Sequence, residues 1–181
     1  MKKIIYIIMI SLLIPACSTT KEAGVTRAEK RELRKIAERE AVKKAVESRR
    51  YIIKMDRINV MGGGFLDLIP RNNFIIINGE SASISLGYIG RQFGIRPISG
   101  INFNGQTVKY ELDSREGKSV YNINMEVKYR NDKFDLYLTV GYNGNCSVSI
   151  INSYIQSVSY SGKLVPIAES DTGNTVRKDQ L

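Results

Sequence analysis

The feature that most constrains the fold of this chain is an alternation of apolar and polar residues that begins at Tyr51. In the stretch VYNINMEVKYR, Tyr121, Ile123 and Met125 fall on one face of an extended strand, and the intervening polar residues fall on the other. A period of two is typical of strands with one buried and one solvated face, which is the pattern of antiparallel sheets. The sequence therefore predicts an antiparallel β domain over residues 51–165.

The turns between these stretches support the same interpretation. Asn-Gly pairs at residues 78–79, 104–105 and 143–144 each separate two strand-like runs, and Asn-Gly favours two-residue hairpin turns because it tolerates positive φ. Residues 114–118 and 130–132 are two further predicted turns. We expect an antiparallel meander of about nine or ten strands, because a sheet with a single apolar face must fold over and bury that face. A sandwich and a partly closed barrel both satisfy this requirement.

One more alternating stretch completes the predicted apolar face. In TVKYELD, the side chains of Val108, Tyr110 and Leu112 recur at every second position. The same spacing occurs in SASISLGY and KFDLYLTVGY. We therefore expect all three of these side chains to point into the core.

Before the strands, residues 26–50 have the period of an amphipathic helix. Thr26 is a candidate N-cap, and Glu29 follows at the capping-box spacing. Leu33 and Ile36 begin a narrow apolar stripe that continues through alanines and valines, so we expect partial docking on the β domain, with a free stalk as the alternative. Most of the excess positive charge lies here, and we interpret it as a solvated face, or else as a contact for anionic membrane or envelope polymers. The predicted fold class is mostly β (α+β), with one preceding helix.

The first residues predict a bacterial lipoprotein. Residues 1–16 begin with two lysines and continue as a short apolar run, which is typical of a signal peptide, since a membrane-spanning helix needs about 20 apolar residues. The sequence IPAC resembles a lipobox, so we expect Cys17 to carry fatty-acyl chains such as palmitate, with residues 17–25 as a polar tether. The alternative is an ordinary secretory signal that ends near a cysteine. Several acyl chains on one residue anchor a soluble domain firmly.

The predicted anchor determines the expected compartment and partners. Ser18 follows Cys17 where many lipoproteins of the inner membrane have aspartate, so we expect the outer membrane, with the domain facing the periplasm or the cell surface. Besides the membrane itself, an envelope protein or polymer is the expected partner, and nucleic acid is not. Residues 166–181 are polar and are predicted to form a flexible tail.

The composition excludes several kinds of active site. The chain has no histidine, so neither a Ser-His-Asp nor a Cys-His arrangement can be assembled, and the commonest metal ligand is missing. Cys146 is the only cysteine besides Cys17, and it alternates with apolar residues. This spacing favours a buried, inert thiol over a reactive one.

Paired carboxylates are the remaining catalytic option in a chain without histidine. Glu111 and Asp113 lie two residues apart on one predicted strand, and Asp132 and Asp135 flank a turn. Such pairs can hydrolyse glycosides at a suitable separation, although they more often solubilise a sheet face. The glycine-rich stretches MGGGF and GYIGRQFG lack the Gly-Lys-Ser or Gly-Lys-Thr ending of a phosphate-binding loop. We therefore predict a protein that is not an enzyme and has no catalytic residues, cofactor or metal.

The longest irregular stretch inside the β domain is residues 87–100. Here Tyr88 and Phe93 alternate with Arg91 and Arg96, and aromatic rings beside guanidinium groups suit stacking on sugars or binding an anionic group. We therefore predict a ligand or partner contact at these four residues. The alternative is a connecting loop whose aromatic side chains join the core.

Several stretches, taken in their order along the chain, resemble a family of Bacteroidetes lipoproteins catalogued as a domain of unknown function. They are the lipobox at Cys17, the charged helix, SRRYIIKMDR, NNFIIINGESASISLGYIGR, GINF and QSVSYSGKL. The resemblance covers most of the mature chain. It implies a lipoprotein of the cell envelope with a small, mostly β domain and no assigned activity.

Two functional classes remain open from the sequence. In the first, the protein is a membrane-anchored, non-enzymatic module that binds an envelope protein or polymer. In the second, the curved sheet encloses an apolar cavity and carries a small hydrophobic ligand. The apolar faces are rich in large side chains, which fill a small barrel more readily than they leave it hollow, so we favour the first class.

Overall fold

The computed structural model describes residues 26–60, 63–91, 93, 99–114 and 120–167. The predicted signal peptide, the tether with Cys17 and the tail beyond Ile167 lie outside the described residues. Among the described residues, no helix is both long and apolar enough to cross a lipid bilayer. The elements are α1 (Arg27–Ser48), β1 (Arg50–Asn59), β2 (Phe65–Asp67), β3 (Phe74–Asn78), β4 (Ser81–Gly87), β5 (Gly100–Ser114), β6 (Val120–Tyr129), β7 (Asp132–Gly141), β8 (Asn145–Asn152) and β9 (Ile155–Pro166).

All nine described strands belong to one antiparallel sheet that closes on itself. Each strand from β3 to β8 pairs with the next along the chain, and β1 pairs with both β3 and β9. The pairing of β1 with β9 closes an eight-stranded barrel, and the short β2 is an additional strand beside the far end of β1. The predicted mostly β fold with one preceding helix is confirmed. The sequence left a sandwich and a partly closed barrel open, and the structure is a fully closed barrel.

The interior of the barrel is packed with large side chains. Alternate residues of each strand point inward, as the alternation predicted, and form one continuous hydrophobic cluster. Burying a side chain of this size contributes roughly 1.5–3 kcal/mol each. The largest fully buried side chains are Tyr51, Tyr160, Ile53, Met55, Ile58, Ile75, Ile77, Leu86, Ile123, Leu136, Leu138 and Ile150.

The first turns of α1, up to Glu32, belong to one compact unit, and the rest of the helix and the barrel belong to a second. In the first unit, the amide of Glu29 donates a hydrogen bond of 3.2 Å to the hydroxyl oxygen of Thr26. Thr26 therefore caps the helix, as its sequence position predicted.

Within the second unit, α1 packs on the barrel only through its last turns. Val42, Ala45 and Val46 are buried in the same cluster as the barrel interior. Leu33 and Ile36, which begin the same stripe, are exposed. The docking is therefore partial, because the stripe meets the barrel only where the helix turns into β1.

The predicted Asn-Gly turns hold at two of three positions. Gly79 and Gly144 have φ of 64° and 81° and lie in the β3–β4 and β7–β8 hairpins. The predicted turn at residues 104–105 is wrong, because both residues lie inside β5. A Cβ atom on Gly105 would come within 2.6 Å of the carbonyl oxygen of Lys128, so glycine here permits the close approach of β6.

The other two predicted turns differ in how much of them is described. Residues 130–132 join β6 to β7, and Arg130 has a φ of 55°. The prediction for residues 114–118 begins at the last residue of β5, and residues 115–118 lie outside the described part of the chain.

The predicted inward position of Val108 is also wrong. The register between β5 and β6 shifts between Thr107 and Lys109, so one extra residue is accommodated as a β-bulge. Thr107 is buried and Val108 is exposed, and the inward phase resumes at Tyr110. A bulge moves every later side chain to the opposite face, which alternation alone cannot reveal.

Candidate functional site

Two tyrosines close the end of the barrel at which β1 and β4 end. The hydroxyl of Tyr160 donates to the carbonyl oxygen of Gly87 at 2.9 Å, and the hydroxyl of Tyr88 donates to the carbonyl oxygen of Arg91 at 2.6 Å. Burial raises the pKa of both hydroxyls, so both stay protonated donors at neutral pH. Tyr88 therefore lies in the core and not on a contact surface. This agrees, for Tyr88, with the alternative prediction of a connecting loop whose aromatic side chains join the core.

The residues that follow Tyr88 run along the β8–β9 hairpin. The amide of Gln156 donates to the carbonyl oxygen of Arg91, and the amide of Phe93 donates to the carbonyl oxygen of Tyr154, each at 2.9 Å. The amide of Arg91 in turn donates to the Gln156 side chain at 3.2 Å. These bonds fix the backbone at Arg91 and Phe93, while Arg96 lies outside the described residues.

Three large apolar side chains are exposed on this edge of the barrel. The exposed fractions are 69% for Phe93, 54% for Tyr154 and 50% for Ile89. The guanidinium of Arg91 is exposed beside them. Ile89 and Arg91 line a depression of about 600 Å³, and Phe93 and Tyr154 each lie two residues along the chain from one of its lining residues. The depression, together with these two exposed rings, is here called the rim groove. Its lining residues are Asn59, Val60, Ile89, Gly90, Arg91, Gln156, Ser157 and Val158.

The sequence predicted only part of this site. The predicted contact residues Arg91 and Phe93 lie at this edge of the barrel, whereas Ile89 and Tyr154 were not predicted from the sequence. The signal for Tyr154 is an aromatic residue in the two-residue turn 153–154 between β8 and β9, where polar residues are usual. Its proximity to Phe93 depends on hydrogen bonds between segments more than fifty residues apart, which no local pattern contains.

Two of the four carboxylates considered for catalysis, Glu111 and Asp135, lie beside lysines. Glu111 is 2.9 Å from the ammonium of Lys109. The ammonium of Lys133 is 3.5 Å from Asp135 and 2.7 Å from Glu126. Hydrogen bonds to Glu111 and Glu126 raise the pKa of Lys109 and Lys133 respectively, so both lysines stay charged and these contacts are surface ion pairs.

Cys146 is buried on the inner face of β8. Burial, reinforced by the carboxylate of Asp56, raises the pKa of its thiol to about 12. The thiol is therefore protonated at neutral pH, as expected for an inert cysteine. Within the described part of the chain, no group of three or more cysteine, aspartate or glutamate side chains could hold a metal ion.

The stretch of chain that builds this barrel matches a known protein family. Residues 33–164, from the second turn of α1 into β9, match the family described as "Domain of unknown function (DUF4251)". The chain belongs to this family. The DUF4251 domain therefore contains the rim groove and the strands that support it, and the predicted resemblance to a family of unknown function is confirmed at this level.

A solved DUF4251 structure shares the fold. It is the crystal structure of a DUF4251 family protein from Bacteroides eggerthii DSM 20697, and it matches with a TM-score of 0.64 and 15% sequence identity. The match covers 77% of this chain and 95% of that chain. At this identity the likeness shows a common fold alone. No curated protein matches the sequence.

Proposed function

We propose that this protein is a membrane-anchored lipoprotein of the cell envelope whose DUF4251 barrel is a non-enzymatic binding module. Its partner is an envelope protein that contacts the rim groove. The observation that carries the proposal is the exposure of Phe93, Tyr154 and Ile89 around Arg91, on a barrel whose interior is occupied by its own side chains.

The filled interior favours binding on the outside over carriage of a small hydrophobic ligand. Ligand-holding cavities usually have volumes of roughly 300–1,000 Å³. Inside this barrel, Tyr51, Tyr160 and Met55 are fully buried and belong to one packed cluster. A ligand inside would have to displace several side chains of this size, and each displacement costs about 2 kcal/mol.

The rim groove has the chemistry of a protein interface. Aromatic residues and arginine are enriched at the energetic centres of interfaces. Burying the exposed ring of Phe93 under a partner contributes about 2 kcal/mol before entropy losses. The backbone of Arg91 is held on both sides by Gln156, so little conformational freedom is lost there on binding. The best-fitting partner surface has apolar side chains around an acidic group.

The anchor in this proposal is Cys17. Acyl chains on its side chain hold the domain at the outer membrane, facing the periplasm or the cell surface, and the tether and α1 connect the anchor to the barrel. Each buried methylene contributes about 0.8 kcal/mol to membrane binding. A Cys17→Ala variant is then released from the membrane fraction and lacks the acyl mass, and a variant that stays in that fraction contradicts the anchor.

Site-specific photo-crosslinking in cells of the native host tests the binding surface. A photoreactive phenylalanine analogue replaces Phe93 in the full chain, and the matched control carries it at Val165, an exposed position on β9. We expect one crosslinked partner of defined mass at position 93, absent at position 165 and lost when Arg91→Glu is added. No adduct at position 93, or the same adducts at both positions, contradicts the proposal.

A further inference from the structure

One outer face of the barrel carries two rows of uncharged polar side chains. In the first row, Asn122, Thr139, Ser147 and Ser161 are successive register partners on β6, β7, β8 and β9. In the second row, Asn124, Tyr137, Ser149, Ser159 and Asn59 are successive partners on β6, β7, β8, β9 and β1. These nine residues are called the neutral face.

The side chains of the neutral face are exposed or half-buried, and they have spare hydrogen-bonding capacity. Within the face, Thr139 bonds to the amide oxygen of Asn122 and the amide of Asn59 bonds to Ser161, each at 3.3 Å. Ser147 and Ser159 are 3.5 Å apart. A hydroxyl can donate once and accept twice, and an amide has two donors and an acceptor. These few long bonds leave most of that capacity unused.

The absence of charge sets this face apart from the rest of the molecule. Charged residues make up 25% of the chain, and surfaces of small domains are typically about 25–35% charged. The next row on one side carries Glu126 and Asp135 with the paired Lys133. Asparagine is depleted in strands and serine is not among the residues that favour them, so sheet stability does not account for their concentration here. An uncharged face can be covered without the large cost of desolvating ions.

We propose that the neutral face binds an uncharged glycan. Hydroxyls and amides that both donate and accept match the hydroxyl groups of a sugar chain, and the exposed ring of Tyr137 offers an apolar surface to a sugar ring. Five strands spaced by about 4.8 Å give the second row a length of about 19 Å, enough for several linked sugars. A groove of about 520 Å³ runs beside Thr139, Ser147 and Ser161. Asp56 and Arg57 also line this groove, and Arg57 is the register partner of Ser161, so the uncharged surface ends at β1 in the first row.

This inference does not rest on the rim groove, although Asn59 lines its edge. The two surfaces differ in chemistry, since the rim groove combines apolar side chains with an arginine and the neutral face has neither a charge nor an aliphatic side chain. A glycan contact and a protein contact on one lipoprotein are compatible, because they occupy different faces.

Affinity electrophoresis of the full-length mature protein, in a detergent without a sugar headgroup, tests the inference. The gels contain soluble starch, mannan, laminarin, hydroxyethylcellulose or xylan, with heparin and polygalacturonate as charged probes. We expect at least one neutral polysaccharide to slow migration. Ser147→Lys and Tyr137→Ala weaken that binding at least tenfold, judged against each variant's own mobility without polysaccharide. Asn131→Lys, in the exposed β6–β7 turn, is the matched control and leaves it unchanged.

Each other outcome overturns the inference. These outcomes are no retardation by any neutral probe, retardation by the charged probes alone, or full retention by Ser147→Lys. Dimerisation that Ser147→Lys abolishes, without retardation, assigns the face to a second copy of the chain. Arg91→Glu is expected to leave retardation unchanged, so failure of the rim proposal and failure of this one are distinguishable.

Discussion

The hydroxyl of Tyr110, on β5, donates a hydrogen bond of 2.9 Å to the carbonyl oxygen of Val46, near the end of α1. The same hydroxyl lies 3.3 Å from that of Tyr51 on β1, and the guanidinium of Arg49 lies 4.6 Å from the Tyr110 ring. One side chain thus links the helix, the first strand and the long strand β5. It also satisfies a carbonyl in the last turn of the helix, where partners inside the helix run out.

Tyr110→Phe tests this link, because it removes the hydroxyl and keeps the ring. We expect the free energy of unfolding to fall by about 1 kcal/mol, since the Val46 carbonyl loses the shorter of its two hydrogen bonds and keeps only the one of 3.3 Å from the amide of Arg49. Urea unfolding followed by circular dichroism measures the change. The matched control is Tyr137→Phe, whose hydroxyl lies on the exposed outer face, with an expected change below about 0.5 kcal/mol. Equal effects of the two substitutions contradict the link.

Two substitutions on α1 test its partial docking. Val46→Ala removes two methyl groups from a fully buried site, so we expect a loss of about 2 kcal/mol in the free energy of unfolding. Ile36→Ala removes more apolar volume from an exposed site on the same helix, and we expect less than about 0.5 kcal/mol. A larger loss for Ile36→Ala in the same urea experiment would show that the first half of the helix is buried.

Gly162→Ala tests the closure of the barrel between β9 and β1. A Cβ atom at this position collides with the carbonyl oxygen of Lys54 and lies 2.9 Å from the Cα atom of Met55. Backbone must move to relieve this collision, so we expect a loss of about 3 kcal/mol in stability. Gly87→Ala is the control, because its nearest neighbour lies at an ordinary 3.4 Å. A tolerated Gly162→Ala would mean that β1 and β9 are not so closely paired.

The raised pKa of Cys146 predicts a loss of stability at alkaline pH. In the unfolded chain the thiol loses its proton near its ordinary pKa of about 8.5, whereas burial keeps it protonated in the folded state up to about 12. The unfolded state therefore binds fewer protons between these values, and the free energy of unfolding falls as pH rises, by at most about 1.4 kcal/mol per pH unit from this group. Cys146→Ala should flatten the slope between about pH 9 and 10, as measured by urea unfolding. An unchanged slope contradicts the assignment.

Much of the fold could be predicted because its signals are local. The alternation of Tyr121, Ile123 and Met125 fixes a strand and its buried face, and the cap at Thr26 requires only the residue three positions on. Closure of the barrel could not be predicted, because the pairing of β1 with β9 joins residues about a hundred positions apart. The bulge beside Val108 could not be predicted for a different reason. The sequence TVKYELD alternates without a break, so it gives no sign that the bulge moves the later side chains to the opposite face of β5.

The candidate sites also have a part that local sequence predicts and a part that depends on contacts between distant segments. Arg91 and Phe93 could be found from composition within one irregular stretch, whereas Tyr154 reaches them only through the β8–β9 hairpin. The neutral face was not found at all, since Asn124, Tyr137 and Ser149 are ordinary polar residues on their separate strands. Their shared character emerges only when register places them side by side.

The central claim is that this barrel binds on its outside and holds nothing within. Native mass spectrometry of the protein purified from its own host, released from detergent, measures this most directly. We predict the mass of the bare chain with its acyl modification. A reproducible additional mass that corresponds to a small hydrophobic molecule, survives gentle release and disappears on unfolding would contradict the account and identify the barrel as a carrier.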